Sequence, residues 1–407
     1  MKTPSKHNQW QIFKIKDITN NLDNRRIPLN EEERWRKKEK AVYPYYGANG
    51  QLDSIDEYIY DEKILCIAED GGDWRLNKSC AYIVNEKCWV NNHAHVLTAR
   101  PILHLEYLMY FLNYSDLSKY VTGTTRGKLT KSALDSIPIP LPPLSVQKRI
   151  AAVLDKADRL RRLRKAAIEK LDQLTQSVFL DIFGDPVTNP KGWETVKLAD
   201  ISSIVSGVTK GKKNNGRELI NLPYMRVANV QDGYLDLSEI KTIDVTAIDA
   251  NKYKLEFGDI LLTEGGDPDK LGRGEIWRDE IDNCIYQNHI FRVRADGNLI
   301  LPEYLNSLIG SYYGKKYFLR ESKQTTGIAT INSRQLKEFP VLLPGIELQK
   351  EFKHIVNNIR IQMGRFSRSL NCFNILFNSL LQRAFKGELS FNDHYFQQLE
   401  KETGDIQ

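Results

Sequence analysis

The two halves of this chain of 407 residues carry the same short motifs in the same order. Gln147-Lys148 follows a proline-rich segment and opens a long apolar-periodic stretch, and Gln349-Lys350 does the same in the second half. The matched motifs upstream are Trp10 with Trp193, Pro44-Tyr45 with Pro223-Tyr224, Asn92-His93 with Asn288-His289, and Glu106-Tyr107-Leu108 with Glu303-Tyr304-Leu305. The residues between the motifs differ. A repeated scaffold with different connecting sequences predicts two similar domains that present two different binding faces.

The length and the composition indicate a folded protein with more than one domain. A chain of this length exceeds what a single hydrophobic core usually organises. Hydrophobic residues make up 41% of the chain and charged residues 27%, as in an ordinary globular protein. The formal net charge of +6 is compatible with a polyanionic partner without requiring one.

The cysteines indicate reduced thiols rather than a disulfide framework or a zinc site. Their number, 5, is odd, and no two of them form a CxxC pair. They are Cys66, Cys80, Cys88, Cys284 and Cys372. No apolar run in the sequence is long enough to span a bilayer, and no apolar signal segment follows Met1. We therefore expect a soluble cytoplasmic protein that binds no metal.

Residues 10 to 140 mix short apolar runs with Gly, Asn and Asp, which is typical of an α+β domain. Ile64–Ala68 and Ala81–Val84 are apolar runs between turn residues, and they predict buried strands. Leu105–Leu112 predicts a short helix. The prolines within Ile137–Pro143 favour an extended segment, because proline disfavours helical conformation in the residue before it.

A long helix is predicted after each proline-containing segment. Apolar residues recur every three or four positions from Val146 to Val178 and again from Leu348 to Ala384. Ser145 is expected at the N-cap of the first helix, and Gly184 and Gly387 mark the two helix ends. At ~1.5 Å per residue such a helix is a rod of about 55 Å. We expect the two apolar stripes to bury each other in an antiparallel coiled coil with one domain at each end; alternatively, each helix covers only its own domain.

The predicted fold class is α+β, with two similar globular domains separated by a pair of long antiparallel helices in a pseudo-two-fold arrangement. The internal repeat implies that the second domain and its helix have the topology of the first. The predicted boundaries are 1–140 for the first domain, 141–186 for the central helix with its proline-rich start, 187–342 for the second domain, 343–390 for the C-terminal helix and 391–407 for a polar tail.

The sequence motifs of several enzyme classes are incomplete. Gly123–Lys128 is similar to a phosphate-binding loop, but three residues instead of four separate its glycines, and Leu129 replaces the Ser or Thr that should follow the lysine. Asn189-Pro190 is not followed by the proline and the aromatic residue with which amino-methyltransferases hold a flipped base. No glycine-rich cofactor motif follows a predicted strand. We therefore expect no catalytic residue in this chain and no cofactor bound by it.

Two kinds of chemically active residue occur at matched positions in the two halves. His93 matches His289, and Glu69 matches Glu264. Because both halves have them, we interpret these residues as parts of the shared scaffold. The histidines are expected to make a hydrogen bond that closes a strand end, and the glutamates are expected to cap tight turns.

Polar loops at several places supply groups that can bind DNA. Lys and Arg pair with phosphates, and Arg, Asn and Thr can hydrogen-bond to base edges. A single loop of this type is more typical of a solvated surface, but such loops occur at matched positions in both halves, so DNA binding and ordinary solvated loops both stay open at this point. The predicted DNA-binding residues are Tyr46, Asn49, Thr124, Thr125, Arg126, Lys128, Thr209, Lys210, Lys212, Lys213, Arg226, Asn229, Thr325 and Thr326.

Over nearly its whole length the chain resembles the specificity subunit of type I restriction–modification systems. The most specific marks are Gln147-Lys148-Arg149-Ile150 after the prolines, Phe183-Gly184-Asp185-Pro186 at the helix end, and Asn189-Pro190-Lys191-Gly192-Trp193. The resemblance implies a non-catalytic subunit whose two target-recognition domains read a bipartite sequence in double-stranded DNA, with the paired helices setting the unread gap.

The resemblance also implies protein partners. Two methyltransferase subunits, which bind S-adenosylmethionine, and motor-nuclease subunits are expected to join the chain, and no membrane is involved. The residues expected to dock these subunits lie at the matched helix starts. They are Gln147, Ile150, Gln349 and Phe352.

Two other functions stay open at this point. The first is a non-enzymatic coiled-coil scaffold whose end domains bind proteins. It differs from a DNA-binding subunit in a simple observable, because DNA binding falls steeply with salt through the release of phosphate counterions. The second is a methyltransferase fused to its own recognition domain, which the missing motifs disfavour.

Overall fold

The structure is a computed structural model that describes residues 10–123, 126–211, 218–266, 271–325 and 328–389. The chain divides into two compact units. The first unit contains the residues up to Lys165 together with those from Arg368 onward, and the second unit is Ala166–Ser367. Each unit therefore contains the start of one long helix and the end of the other. The predicted boundaries separated helices from domains, whereas the compact units divide each long helix near its middle.

The first unit combines small sheets with short helices. Its strands are β1 (Gln11–Lys14), β2 (Thr19–Asn21), β3 (Tyr43–Gly47), β4 (Gly50–Ile55), β5 (Ile64–Ala68), β6 (Ala81–Val84), β7 (Trp89–Val90), β8 (Ala94–Ala99), β9 (Val121–Thr122), β10 (Lys128–Leu129) and β11 (Pro138–Leu141). Its helices are α1 (Ile15–Ile18), α2 (Glu31–Arg36), α3 (Leu105–Tyr114), α4 (Lys131–Ser136) and the first part of α5 (Leu144–Phe183), with 3-10 turns at Asp23–Arg25 and Ser118–Tyr120.

The central sheet of the first unit has the strand order β2-β8-β5-β6. Every residue of β5 is buried, because successive side chains of a strand point to opposite faces and both faces of this sheet are covered. Leu65 and Ile67 face the main core with α3, whereas Ile64 and Cys66 join a smaller cluster on the other side. The strands predicted at Ile64–Ala68 and Ala81–Val84 are confirmed.

The second unit is built in the same way. Its strands are β12 (Glu194–Lys197), β13 (Ser202–Ser206), β14 (Ile220–Met225), β15 (Lys241–Val245), β16 (Ile260–Thr263), β17 (Gly265–Gly266), β18 (Gly274–Ile276), β19 (Ile285–Tyr286), β20 (Ile290–Ala295), β21 (Lys323–Thr325), β22 (Ile328–Thr330) and β23 (Pro340–Leu343). Its helices are α6 (Ala247–Lys252), α7 (Pro302–Gly310), α8 (Tyr312–Glu321), α9 (Ser333–Lys337) and the first part of α10 (Ile346–Phe385), with 3-10 turns at Leu198–Asp200 and Val227–Asn229.

The strand orders of the two units match. The second unit has a sheet β13-β20-β16-β18, a sheet β15-β14-β19 and a pair β12-β23, and the first unit has β2-β8-β5-β6, β4-β3-β7 and β1-β11. In the sheets β4-β3-β7 and β15-β14-β19 one pair is parallel, with Tyr45 opposite Trp89 in the first unit and Tyr224 opposite Ile285 in the second. The expected repeat of an α+β scaffold is therefore confirmed.

The two long helices have 40 residues each. In the first unit the start of α5 packs against the end of α10: Arg161 Nε donates to Asn374 Oδ1 at 2.8 Å, and the Arg161 guanidinium lies 4.2 Å from the centre of the Phe377 ring. In the second unit the end of α5 packs against the start of α10 through Phe179 and Phe352, whose ring centres are 5.6 Å apart. The predicted antiparallel pairing is confirmed.

The helix ends also pack on the domains, but each helix contacts the other helix and residues of both units, so the alternative that each helix covers only its own domain is wrong. The ring of Phe385 lies among aromatic residues of α3, with its centre 5.6 Å from that of Tyr107. In the second unit, Phe183 and Tyr304 are related in the same way, at 4.6 Å. Helix α5 begins at Leu144, so Ser145 lies in its first turn and is not the N-cap residue that we predicted.

Four of the cysteines are buried, and Cys372 is exposed; all five are unpaired. Burial raises the pKa of the thiols of Cys80, Cys88 and Cys284 to about 12. Among the described residues, no group of three or more His, Cys, Asp or Glu side chains is arranged to hold a metal ion. In the same part of the chain, no helix is both long enough and apolar enough to cross a bilayer.

Candidate nucleic-acid interface

Three of the predicted DNA-binding residues of the first unit gather around one turn, which follows β5. Arg126 Nη2 lies 2.7 Å from Asp70 Oδ1, and Lys128 Nζ lies 2.9 Å from Glu69 Oε1. Asn49 Nδ2 donates to the Gly71 carbonyl at 3.1 Å. The side chains of Arg126 and Lys128 are 65% and 52% exposed, so both can reach a ligand. We refer to the segments 47–50, 69–71 and 126–128 as the loop cluster.

The backbone fixes the loop cluster to the central sheet. The Glu69 carbonyl accepts a hydrogen bond from Leu129 N at 2.8 Å, which ties β10 to the end of β5. Gly71 has a φ of 67°, a left-handed conformation that glycine adopts without a steric penalty. The chain can therefore turn sharply directly after a buried strand and present its polar groups to solvent.

A network of charged side chains lies beneath the loop cluster. Arg26 Nη1 binds Glu69 Oε2 at 2.7 Å. The almost fully buried His95 ring lies with Nδ1 2.6 Å from Asp23 Oδ2 and Nε2 2.8 Å from the Leu129 carbonyl. A carbonyl oxygen only accepts hydrogen bonds, so Nε2 donates to Leu129. Arg26 and His95 thereby face the carboxylates of Glu69 and Asp23.

The network perturbs the titration of its two carboxyl groups. Burial acts to raise the pKa of Asp23, but the hydrogen bond from His95 and its charge outweigh this, and the pKa is lowered. For Glu69 burial also acts upward, and the hydrogen bonds from Arg26 and Lys128 lower the pKa below its ordinary value. Both carboxyl groups therefore favour the charged form.

The matched histidines serve the scaffold through their backbone. The His93 carbonyl accepts from Glu69 N at 2.8 Å, and the His289 carbonyl accepts from Glu264 N at 3.0 Å, so each closes the end of a central strand as expected. The glutamate side chains do not cap turns, which corrects our interpretation. Glu69 pairs with Arg26 and Lys128, and Glu264 Oε2 lies 2.6 Å from His289 Nδ1.

The side chain of Tyr46 contacts residues outside the loop cluster. Its hydroxyl donates to Glu86 Oε1 at 3.0 Å, and its ring centre lies 5.7 Å from that of Tyr82. Burial, and then the hydrogen bond to Glu86, raise the pKa of Tyr46. The structure therefore does not group Tyr46 with the loop cluster through these contacts.

In the second unit, Thr209 and Lys210 are exposed and follow the buried Val208. Val208 N donates to the Tyr286 carbonyl at 2.8 Å, which fixes this segment to β19. Thr209 and Lys210 line a cleft of about 320 Å³ together with Leu219, Thr242–Val245 and other residues. The cleft is partly polar, so it combines a cation with backbone and carboxylate groups.

The prediction for Asn229 is wrong. Asn229 is only 3% exposed, and its side chain holds a turn together: Oδ1 accepts from Arg226 N at 2.9 Å, and Nδ2 donates to the carbonyls of Asp236 and Glu239. Its amide is fully used inside the fold and has no free donor for a base. Arg226 Nη2 binds Glu239 Oε2 at 3.0 Å and is 19% exposed, and the hydrogen bond from Arg226 lowers the pKa of Glu239.

Several predicted residues lie where no side chain is described. Thr325 belongs to β21, and only its backbone is described. The predicted residues outside the described part of the chain are Thr124, Thr125, Lys212, Lys213 and Thr326.

The docking prediction for the helix starts also needs correction. Gln147 is fully buried: its Oε1 accepts from His104 N at 2.9 Å, and its Nε2 donates to the carbonyls of Ile102 and Pro142. Gln349 repeats this arrangement, with Leu301 N at 2.8 Å from its Oε1. Ile150 and Phe352 are at most 1% exposed. Side chains without accessible surface cannot contact a partner, so these four residues fix each helix to its own domain instead.

Sequence reasoning did not predict which side chains pair with the predicted cations. Asp70, His93 and Arg26 are brought to the loop cluster from separate loops, and no short motif joins them. The signal that could have found them is Glu69-Asp70 directly after a buried strand, because carboxylates at a strand end are available to pair with a nearby basic loop.

The fold and the loop cluster define a two-domain protein with basic loops on a repeated scaffold, and comparison with known proteins gives the family. The family model described as type I restriction modification DNA specificity domain matches residues 7–173 and 190–361. Since these two matches cover most of the chain, it belongs to this family of type I restriction–modification specificity subunits.

Individual relatives have low sequence identity to this chain or match only part of it. The EcoKI specificity subunit of Escherichia coli K12 is 24% identical over 374 residues, which is 84% of this chain and 80% of the relative. A protein of Haemophilus influenzae assigned as a type I restriction enzyme specificity subunit is 36% identical over 141 residues, 35% of each chain. The crystal structure of a type I system S subunit from M. genitalium has the same fold, with a TM-score of 0.61 and 17% identity over 94% of this chain and 97% of that one.

Proposed function

We propose that this chain reads a bipartite sequence in double-stranded DNA for a type I restriction–modification complex and catalyses no reaction itself. Loops of the first unit read one part of the target, and loops of the second unit read the other. The methyltransferase subunits that join it in the cytoplasm bind S-adenosylmethionine and methylate adenine, and motor-nuclease subunits complete the assembly.

One observation carries this proposal: the two units have the same strand orders and the same buried helix anchor but different charged loops. Gln147 and Gln349 make matching sets of hydrogen bonds, whereas Asp70 and Gly265 occupy matched positions at the end of the central strand. A shared scaffold with different reading surfaces is what recognition of two unlike sequences requires.

The exposed cations are the proposed DNA contacts. Arg126 and Lys128 in the first unit and Lys210 in the second protrude from loops on a rigid scaffold, where binding groups commonly lie. Asn49 is exposed beside them and has an amide that can hydrogen-bond to a base. Lys128 and Lys210 are proposed to neutralise phosphates, and Arg126 and Asn49 to face base edges.

The long helices are the proposed docking surface for the methyltransferase subunits. Large apolar residues along α5 are half exposed although the helix is packed, and such surfaces commonly mark protein contacts. These residues are Leu160, Leu163, Leu174 and Leu180, between 40% and 57% exposed. They replace the four buried residues of the helix starts as candidates.

Sequencing of modified adenines in cells tests the proposal. Cells that express the chain with its methyltransferase partner should show one methylated motif made of two specified parts separated by a fixed gap, and this motif should vanish when the chain alone is deleted. A motif that persists without the chain would contradict the proposal. If the chain is instead a scaffold that binds only proteins, its deletion should not remove methylation from any particular sequence motif.

A further inference from the structure

We propose that Asp70 is a positioning residue that fixes the guanidinium of Arg126 so that it reads a guanine in the half-site of the first unit. This inference rests on the proposed function and deepens it. It assigns a base and a supporting carboxylate to a surface for which sequence analysis predicted only the types of residue.

The geometry is a chain of three side chains. His93 Nδ1 lies 2.9 Å from Asp70 Oδ1 and 3.0 Å from Asp70 Oδ2, and Arg126 Nη2 lies 2.7 Å from Asp70 Oδ1. A charged carboxylate only accepts hydrogen bonds, so His93 donates to it from one side and Arg126 from the other. The Asp70 side chain is 17% exposed, and it is therefore held in place between its two donors.

The guanidinium lies directly over the turn at Gly71. A Cβ atom at Gly71 would be 3.5 Å from Arg126 Nη2, so a larger residue would enter the space beside the guanidinium. The Gly71 carbonyl also accepts from Asn49 Nδ2 at 3.1 Å. Two side chains suited to base edges are thereby anchored to the same turn, which is what a reading surface needs.

At the positions that match Asp70 and Arg126, the second unit has neither a carboxylate nor a guanidinium. Asp70 and Lys128 form an isolated bridge, and Gly265 and Thr330 pair in the same place of the second unit. Counting two residues back from Lys128 and from Thr330 matches Arg126 with Ile328. The carboxylate and the guanidinium are thus replaced together, while the matched glutamate and histidine are present in both units. The Asp70–Arg126 pair therefore belongs to the part of the scaffold that differs between the two faces.

An arginine whose guanidinium is held by a carboxylate, as Arg126 is by Asp70, is better suited to bind a base than a phosphate. The planar guanidinium can donate two parallel hydrogen bonds to O6 and N7 of guanine, and this bidentate contact is the commonest specific one in the major groove. Fixing the group before binding lowers the entropy that the complex must lose. Nη2 binds Asp70, and the side chain is 65% exposed, so its other donors can face DNA.

The experiment measures DNA binding by the full chain, together with its methyltransferase partner, to the target found by adenine sequencing. Arg126→Ala, Asp70→Ala and the double variant are compared on the target and on copies in which single guanines are replaced by 7-deazaguanine, which lacks N7. Asp73→Ala is the matched control, because Asp73 pairs with the exposed Arg75 on the same loop, at 2.6 Å from its Nη2, outside the loop cluster.

The wild-type chain should lose affinity at one 7-deazaguanine of the first half-site. Arg126→Ala should weaken binding to the natural target by about 5- to 150-fold and abolish the sensitivity to that replacement. Asp70→Ala should weaken binding at the same base by a smaller factor, and the double variant should bind no worse than Arg126→Ala, because Asp70 acts through Arg126. Asp73→Ala should leave affinity unchanged.

Three results would overturn the inference. One is an equal loss on every sequence with a smaller salt slope, which is the mark of a phosphate contact. Another is additive losses in the double variant. The third is no effect of either variant. If Asp70→Ala does not fold, Asp70→Asn, which keeps the shape but not the charge, takes its place under the same criteria. A wild-type chain without any sequence preference would instead contradict the proposed function.

Discussion

The two compact units share the buried contacts that fix the long helices, but they differ at the end of the central strand. In the first unit the central strand ends in Glu69-Asp70, and the buried His95 supports the neighbouring hairpin through the Leu129 carbonyl at 2.8 Å. In the second unit the residue that matches His95 is Phe291, which is 2% exposed and belongs to the apolar core. The first unit therefore supports its loop cluster with charges, and the second supports the same place with apolar packing.

The comparison distinguishes the residues that determine the fold, which are repeated in both units, from the loop residues proposed to determine the DNA sequence that is bound, which differ. The helix anchor is a glutamine in both units, and each glutamine binds one backbone N–H and two backbone carbonyls at matched positions. The aromatic contact between the returning helix and the domain is also repeated, through Phe385 with Tyr107 and Phe183 with Tyr304. Contacts of this kind can stay constant while the loops diverge, because they lie beneath the surface that meets DNA.

The largest expected effect tests whether the two helix anchors are equivalent. Gln147→Ala and Gln349→Ala each leave one backbone N–H and two carbonyls without partners in a buried place, so each should lower the free energy of unfolding of its own unit by about 3 kcal/mol. Hydrogen exchange measured by mass spectrometry on the full chain should show the loss in the unit that carries the change. Gln176→Ala, an exposed glutamine on α5, is the control and should have little effect.

If only one of the two variants lowers the free energy of unfolding, the two anchors are not equivalent, because only one unit then depends on its glutamine. Equal losses spread over both units would show that the anchors serve the whole chain rather than the separate units.

A smaller effect tests the charged network of the first unit through pH. The pKa of Asp23 is lowered in the folded chain, so Asp23 stabilises the first unit above its unfolded-state value of about 3.9 and loses this contribution as the pH falls through the folded pKa. Asp23→Asn should therefore destabilise the first unit at pH 7 and should flatten the fall in its stability below about pH 4.

For Glu275 of the second unit, we expect the opposite dependence of stability on pH. Burial raises its pKa although Arg278 acts to lower it, so its contribution is present below about pH 4.3 and is lost as the pH rises through the folded pKa. Glu275→Gln should flatten that loss in the second unit. Hydrogen exchange at a series of pH values, corrected for the intrinsic rate, measures both variants, and the same sign for both would contradict the assignment of the charges.

The periodic and repeated parts of this fold were predictable from the sequence. The spacing of apolar residues gave both long helices to within a few residues, and the uninterrupted apolar run of β5 gave a strand covered on both faces. The repeat itself predicted the matching topologies. These features depend on local patterns that one segment carries by itself.

The roles of single polar residues were harder to predict, because burial depends on segments that are distant in the sequence. Gln147 follows the prolines and was expected on a surface, but the His104 amide and the Ile102 carbonyl come to it from another loop. Asn229 was expected to bind a base, but the carbonyls of a later turn occupy its amide. A sequence pattern gives the type of each group and not its partners.

Exchange of one reading surface tests most directly whether the two units recognise DNA independently on a shared scaffold. Residues 193 to 340 are replaced by the corresponding span of a related specificity subunit, and modified adenines are sequenced in cells that contain the hybrid and its methyltransferase partner. We expect one part of the methylated motif to change to that of the relative, while the other part and the gap stay as they were. A change in both parts, or in neither part of an active hybrid, would contradict this account.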